Sequence, residues 1–109
     1  MIEVTFNPNE MKLTVGGHAE YDEKGKDIIC AAVSILFYTL ADSLKKSEMM
    51  LKKNSLVTEV GDKESSISCR PLKKFEPNIE TIYWVVLNGI QMLADDYKDY
   101  VKLTIKEGE

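Results

Sequence analysis

The chain opens with Ile2-Glu3-Val4-Thr5-Phe6, then Asn7-Pro8-Asn9-Glu10, then Met11-Lys12-Leu13-Thr14-Val15. Ile2, Val4 and Phe6 alternate with polar neighbours, and Met11, Leu13 and Val15 repeat the pattern, as half-buried strands do. The Asn-Pro-Asn stretch between them supplies turn chemistry, so the segment predicts a β-hairpin. It runs into Gly16-Gly17-His18, where two glycines open a backbone path that other residues resist.

Downstream, residues Ala19 to Gly25 are polar and lack apolar anchors, which predicts a mobile loop. Asp27 is placed to cap a helix from Ile28 to about Lys45. Ile28, Ala31, Ala32, Ile35, Leu36, Thr39 and Leu40 form one stripe of that helix. A second, largely apolar stripe holds Cys30, Val33, Ser34, Phe37, Tyr38 and Ala41. A helix apolar on most of its circumference is buried on several sides, and in so small a protein this points to a subunit interface. Leu56 to Val60 and Ser66 to Arg70 read as a second hairpin about Gly61-Asp62-Lys63-Glu64. Asn78 is the expected cap of a second helix, Ile79 to Tyr97, with Ile82, Val85, Val86, Gly89, Leu93 and Tyr97 as its core stripe. Val101, Leu103 and Ile105 alternate as a closing strand, and Lys106 to Glu109 form a loose tail. The order ββαββαβ predicts one α+β domain over residues 1–109, with a mixed, mainly antiparallel sheet and two helices.

The 109 residues, 44% hydrophobic and 29% charged, fit one ordinary globular domain. The net charge of -4 and the lack of any dense Lys/Arg run interleaved with aromatics weigh against nucleic acid as a direct ligand. The first residues do not resemble a signal peptide, and no apolar run approaches the ~20 residues of a membrane span, so no membrane partner is expected. Two cysteines give no disulfide framework. A cytoplasmic setting is the expectation.

The chemistry concentrates on His18 and Cys30. His18 is the only histidine and follows the glycine pair. Cys30, with Asp27 as cap, falls at the third helical position, where the helix dipole and free amides favour a thiolate. A glycine-hinged loop of this length can return an imidazole to the sulfur, to take the thiol proton and later protonate a leaving amine. Amides around Cys30 could hold a tetrahedral oxyanion. From spacing alone, the bland alternative has Cys30 as a small buried residue and His18 as the polar end of a strand.

The surrounding residues narrow this choice. Gly17-His18-Ala19 and Gly25-Lys26-Asp27-Ile28-Ile29-Cys30-Ala31-Ala32-Val33-Ser34 closely resemble the signature of the ribosomal-processing cysteine protease (Prp) family of Firmicutes and related bacteria. That signature is a Gly-His-Ala triplet, a short variable loop, and a helix start reading Asp-apolar-apolar-Cys-Ala-Ala-apolar-Ser. Ile29 stands where a smaller Val is common. The resemblance implies a homodimeric thiol protease that removes a short N-terminal extension from ribosomal large-subunit protein L twenty-seven. It implies an apolar, phenylalanine-containing cleavage sequence and a loop between His and Cys that orders over bound peptide. By position, Cys30 is the nucleophile and His18 the general base, with Gly17, Asp27 and Ser34 at further motif positions. Asp22 and Asp27 are candidates to orient His18, and Ser34, one turn beyond Cys30, could contact substrate.

Two rivals stand beside this reading: a non-catalytic ribosome-assembly module with a vestigial pair, and a thiol acyl-transfer enzyme of other specificity. No cofactor is called for, and one His with two distant Cys lacks zinc-ligand spacing. Cys69, in phase with Ile67, reads as buried filler. Trp84, on the polar side with Asn88, Gln91 and Asp95, is expected to fold onto a neighbouring loop or to serve as a dimer contact or substrate shelf.

Overall fold

A computed structural model describes residues 1–17 and 26–106, with backbone only for Lys26 and Asp27. The elements run β1 (Ile2–Asn7), β2 (Lys12–Gly16), α1 (Lys26–Lys46), β3 (Val57–Val60), β4 (Glu64–Ser68), α2 (Glu76–Asp96) and β5 (Val101–Ile105). The five strands form one sheet in the order β3-β4-β2-β1-β5. All neighbours are antiparallel except β1 and β5, which run parallel with Ile2 opposite Val101. The expected order ββαββαβ and single mixed sheet are what the chain forms.

Register decides which side chains share a face, because a strand repeats every two residues. Val4 faces Val15, Phe6 faces Leu13, Leu13 faces Ile67, and Ile2 faces Val101. These residues make one apolar floor, and both helices close over it in a single core. On the other face, Thr104, Thr5, Thr14, Ser66 and Glu59 are successive cross-strand partners. That polar row explains why both helices choose the first face.

Each helix is rotated from its expected setting. In α1 the core is made by Ile29, Val33, Phe37, Leu40 and Leu44. Ile28 and Ile35, expected in the main stripe, are 72% and 64% exposed. The segment Ile28–Lys46 is long and apolar enough to cross a membrane, which the sequence reading did not expect. Here its Val33, Phe37, Leu40 and Leu44 are buried in the core instead, each stabilising the fold by roughly 1.5–3 kcal/mol.

α2 begins at Glu76, after a 3-10 turn over Lys73–Phe75, with Pro77 in its first turn. Asn78 therefore lies inside the helix and does not cap it. Its buried residues are Ile79, Tyr83, Val86, Leu87 and Ile90. Val85 and Tyr97, expected in the core, are exposed. Tyr83 is what turns the helix. Its ring lies 5.2 Å from Phe6, and its hydroxyl donates to the Met11 carbonyl at 2.7 Å. A phenol can be buried only with such an acceptor. The two helices meet at Gly89, where an added Cβ would sit 2.8 Å from a Leu36 methyl.

The hairpin turn shows how that acceptor is presented. The Asn7 side chain accepts from the amides of Asn9 and Glu10, at 3.0 and 3.2 Å. Met11 then takes φ +47°, a left-handed conformation that a methionine adopts at a cost. The Tyr83 hydroxyl bonds the carbonyl of that strained residue.

Candidate active site

Gly17 directly follows β2, with φ +78°. A Cβ there would stand 2.2 Å from the Met1 carbonyl oxygen. Two independent constraints thus exclude a side chain: the left-handed backbone and the close approach of β1. The Ile2 amide donates to the Tyr100 carbonyl at 2.7 Å, which ties the start of β1 to the approach to β5. The residue before His18 is therefore held firmly. His18 itself, the 19–25 stretch and the candidate orienting Asp22 lie outside the described residues.

Beyond that stretch the chain continues as α1, which contains Cys30. The helix has 21 residues and so spans about 31 Å. Its C-terminal continuation lies beside the end of β4: Lys52 donates to the Arg70 carbonyl, and Leu51 bridges Pro71. That is the Lys12 end of β2, since Lys12 faces Ser68. The first turns of α1, with Cys30, accordingly lie toward the opposite end, where Gly17 is.

Within α1, Cys30 is the fifth residue, because the helix starts at Lys26. This corrects two expectations. Asp27 is in the first turn and not at the cap, and Cys30 is in the second turn rather than at the third position. Only the first four amides of a helix lack an intrahelical acceptor. The Cys30 amide falls just beyond them, so any oxyanion donors on this helix are the amides preceding the sulfur.

Cys30 is half-buried and packs against the edge of the core. Ser34, one turn on, is exposed on the same side, and Ala31 is exposed beside it. The structure thus brings Cys30 and Ser34 together and places Gly17 at their end of the molecule. Among the described residues no group of three His, Cys, Asp or Glu side chains could hold a metal.

Cys69 is the contrasting thiol. It is buried, with its sulfur 3.6 Å from the Tyr83 hydroxyl. Burial pushes the thiol upward, and its bond to Tyr83 offsets part of the rise. The Tyr83 phenol is raised too, first by burial and then by Cys69. Cys69 is a packed, neutral group, as its phase with Ile67 predicts. Tyr83, which sequence reasoning missed as a core residue, gives no signal except that a buried acceptor is required for it.

Trp84 is half-exposed and lies edge-on against Phe6, with centroids 5.6 Å apart. It lies about 140° around α2 from Gly89, the residue that touches α1. Trp84 rests on the sheet, on the flank turned away from α1, and so makes no shelf beside Cys30.

Acidic residues at this end of the sheet are interleaved with lysines: Lys102 faces Glu3, Lys63 adjoins Glu64, and Lys98 lies between Asp96 and Asp99. Glu3 and Glu64 are both register partners of Gly16. Asp95 and Asp96 close α2, and Asp99 precedes β5.

A family model described as cysteine protease Prp matches residues 1–102. The chain is 30% identical over 104 residues to the ribosomal processing cysteine protease Prp of Mycoplasma pneumoniae, covering 93% of this chain and 91% of that protein. The counterpart in Mycoplasma genitalium is 27% identical over 101 residues, covering 93% and 92%. Among solved structures, an essential ribosomal processing protease Prp from S. aureus, in complex with a substrate peptide, superposes with TM-score 0.73 at 19% identity, over 97% of this chain and 100% of that one. A Streptococcus mutans structure superposes with TM-score 0.70 at 24% identity, over 96% and 93%. These two superpositions establish the shared fold.

Proposed function

Because this chain belongs to the cysteine protease Prp family, and so is a cysteine protease, we propose that it removes the N-terminal extension of ribosomal large-subunit protein L twenty-seven through a Cys30/His18 dyad. In this reading His18 accepts the thiol proton and the Cys30 sulfur attacks the scissile carbonyl carbon. The tetrahedral oxyanion is held by first-turn amides of α1. His18 then protonates the departing amine, leaving a thioester on Cys30. Water, deprotonated by His18, adds to the thioester carbonyl; the extension peptide leaves as its free acid and the Cys30 sulfur takes back the proton from His18.

The observation that carries the proposal is the placement of a half-buried thiol in the second turn of α1, at the same end of the sheet as the constrained Gly17. Ser34 is proposed to contact the peptide beside Cys30. Asp27, in the first turn, adds negative charge at the helix start and is proposed to orient His18.

The setting is proposed to be cytoplasmic and the active species a homodimer. Supporting the latter, Ile28, Ile35, Val85 and Met92 are all exposed on the two packed helices, where a second copy would cover them. The test pairs the protein with its Cys30→Ala variant on the extended precursor. Loss of a defined N-terminal fragment with the first protein only supports the dyad. Cleavage by both, or turnover of thioesters but not peptides, overturns it.

A further inference from the structure

Cys30 opens onto a part of the sheet that neither helix covers. Leu36 is the α1 residue that meets Gly89 of α2. Helical residues turn by about 100° each, so from Leu36 the buried Leu40 and Val33 follow at about 40° and 60°, and Cys30 and Ser34 at about 120° and 160°. Cys30 and Ser34 therefore lie on the flank of α1 turned away from α2. α2 packs against β5, whereas the chain leaving α1 pairs with the residues after β4. The flank that bears Cys30 accordingly looks toward β4 and β3, the edge of the sheet opposite β5.

Strand alternation decides what it meets there. Ile67, buried beneath the helices, shares its face with Ser65 on β4 and, through register, with Thr58 and Val60 on β3. Val15, Ser65 and Val60 are successive cross-strand partners, in a row two residues short of Gly17. Cover thins along this row: Val15 and Ser65 are half-buried, and Val60 is 61% exposed. The Ser65 hydroxyl accepts from the Gly61 amide at 3.4 Å, which ties it to its own hairpin. Val15, Ser65, Thr58 and Val60 are all uncharged, and the neighbouring Glu59 and Glu64 belong to the other face. A charged side chain would lose water here without gaining a partner, whereas an apolar one would cover the Val60 methyls. We infer that Val60, on the ledge it forms with Val15 and Ser65, receives the apolar side chain of the substrate beside the scissile bond and so selects which peptides are cut. The inference rests on Cys30 as the nucleophile.

The test is a library of short peptides randomised at every position, with the products of cleavage sequenced by mass spectrometry. The intact protein is compared with Val60→Lys and with Val57→Lys, which sets the same charge on the other face of β3. The intact protein is expected to prefer apolar residues at one position beside the cut bond. Val60→Lys should weaken that preference about tenfold or more and accept Asp or Glu there, a gain that misfolding cannot produce. Val57→Lys should keep the intact profile. Should Val60→Lys cut nothing, Val60→Ala decides: a deeper ledge shifts the preference to larger apolar residues, and an unshifted preference overturns the inference. An unchanged profile for Val60→Lys, or the same change from Val57→Lys, overturns the role of Val60 and leaves Cys30 as nucleophile. Cleavage that persists in Cys30→Ala, or none by the intact protein, overturns both.

Discussion

The two cysteines are the same residue in opposite settings. Cys30 stands in the second turn of a helix, half-buried, between the core and an exposed surface that includes Ala31 and Ser34. Cys69 stands just beyond β4, buried, with the Tyr83 hydroxyl against its sulfur and that hydroxyl bonded in turn to the Met11 carbonyl. Burial raises the second thiol and keeps it protonated. A nucleophile needs access and an ionisable sulfur; a core thiol needs neither, and its polar neighbour must be satisfied. The contrast shows that a cysteine's role here is set by which element carries it and how far that element leaves it exposed.

The largest expected effect breaks or keeps that contrast directly. Iodoacetamide at neutral pH should modify Cys30 at least about a hundredfold faster than Cys69, whose reaction awaits local opening. Peptide mapping over time checks this, and comparable rates would collapse the distinction.

The next concerns the backbone that sets the Cys30 end. Gly17→Ala should cost about 2–4 kcal/mol in urea unfolding, from the left-handed φ together with collision at the Met1 carbonyl. Gly16→Ala is the control, since its Cβ would meet nothing closer than 3.8 Å and should cost under about 1 kcal/mol. Equal costs for the two would show that the Met1 contact imposes nothing.

At the Cys69 end, Tyr83→Phe should cost about 1–3 kcal/mol by leaving the Met11 carbonyl and the thiol without their phenol partner. Calorimetry measures it, and precursor cleavage should hardly change. A stability loss under a few tenths of a kcal/mol would mean that the hydroxyl is incidental.

The smallest effect is in pH. Folding raises both the Cys69 thiol and the Tyr83 phenol, so the native state favours their neutral forms. Their contribution is complete below the unfolded thiol value near 9.0 and is lost as pH climbs through it and through the phenol's 10.0. Stability should be flat from pH 7 to 8.5 and then fall by about 1 kcal/mol per pH unit above 9. A Cys69→Ala, Tyr83→Phe double variant should flatten the fall, and an unchanged slope would assign it elsewhere.

Much of the fold could be read from residue periodicity. The alternation of Ile2, Val4 and Phe6 against Leu13 and Val15 is the observed register of β1 on β2. What periodicity missed was rotation. A helix with apolar residues nearly all round offers several equivalent faces, so it could not tell Ile29 from Ile28 in α1. Nor could it choose Tyr83 over Val85 in α2, because the partner of the phenol, Met11, lies 72 residues away. For the candidate site, the sequence motif singles out Gly17, Cys30 and Ser34 because they lie within one short stretch, and the roles given to them belong to the proposed function.

The central strand carries a temporal consequence. β1 is made well before β5, yet one of its two neighbours is β5, in parallel, with Ile2 opposite Val101. Everything from Ile2 to Val101 must therefore be synthesised before β1 gains its second partner, and contacts so distant in sequence form slowly. Until β5 docks, the Ile2 amide has no Tyr100 carbonyl to bond, and the strand that shapes Gly17 keeps a bare edge. An immature chain would thus hold its thiol on a helix without a finished scaffold, and proteolytic competence should appear only at the end of folding.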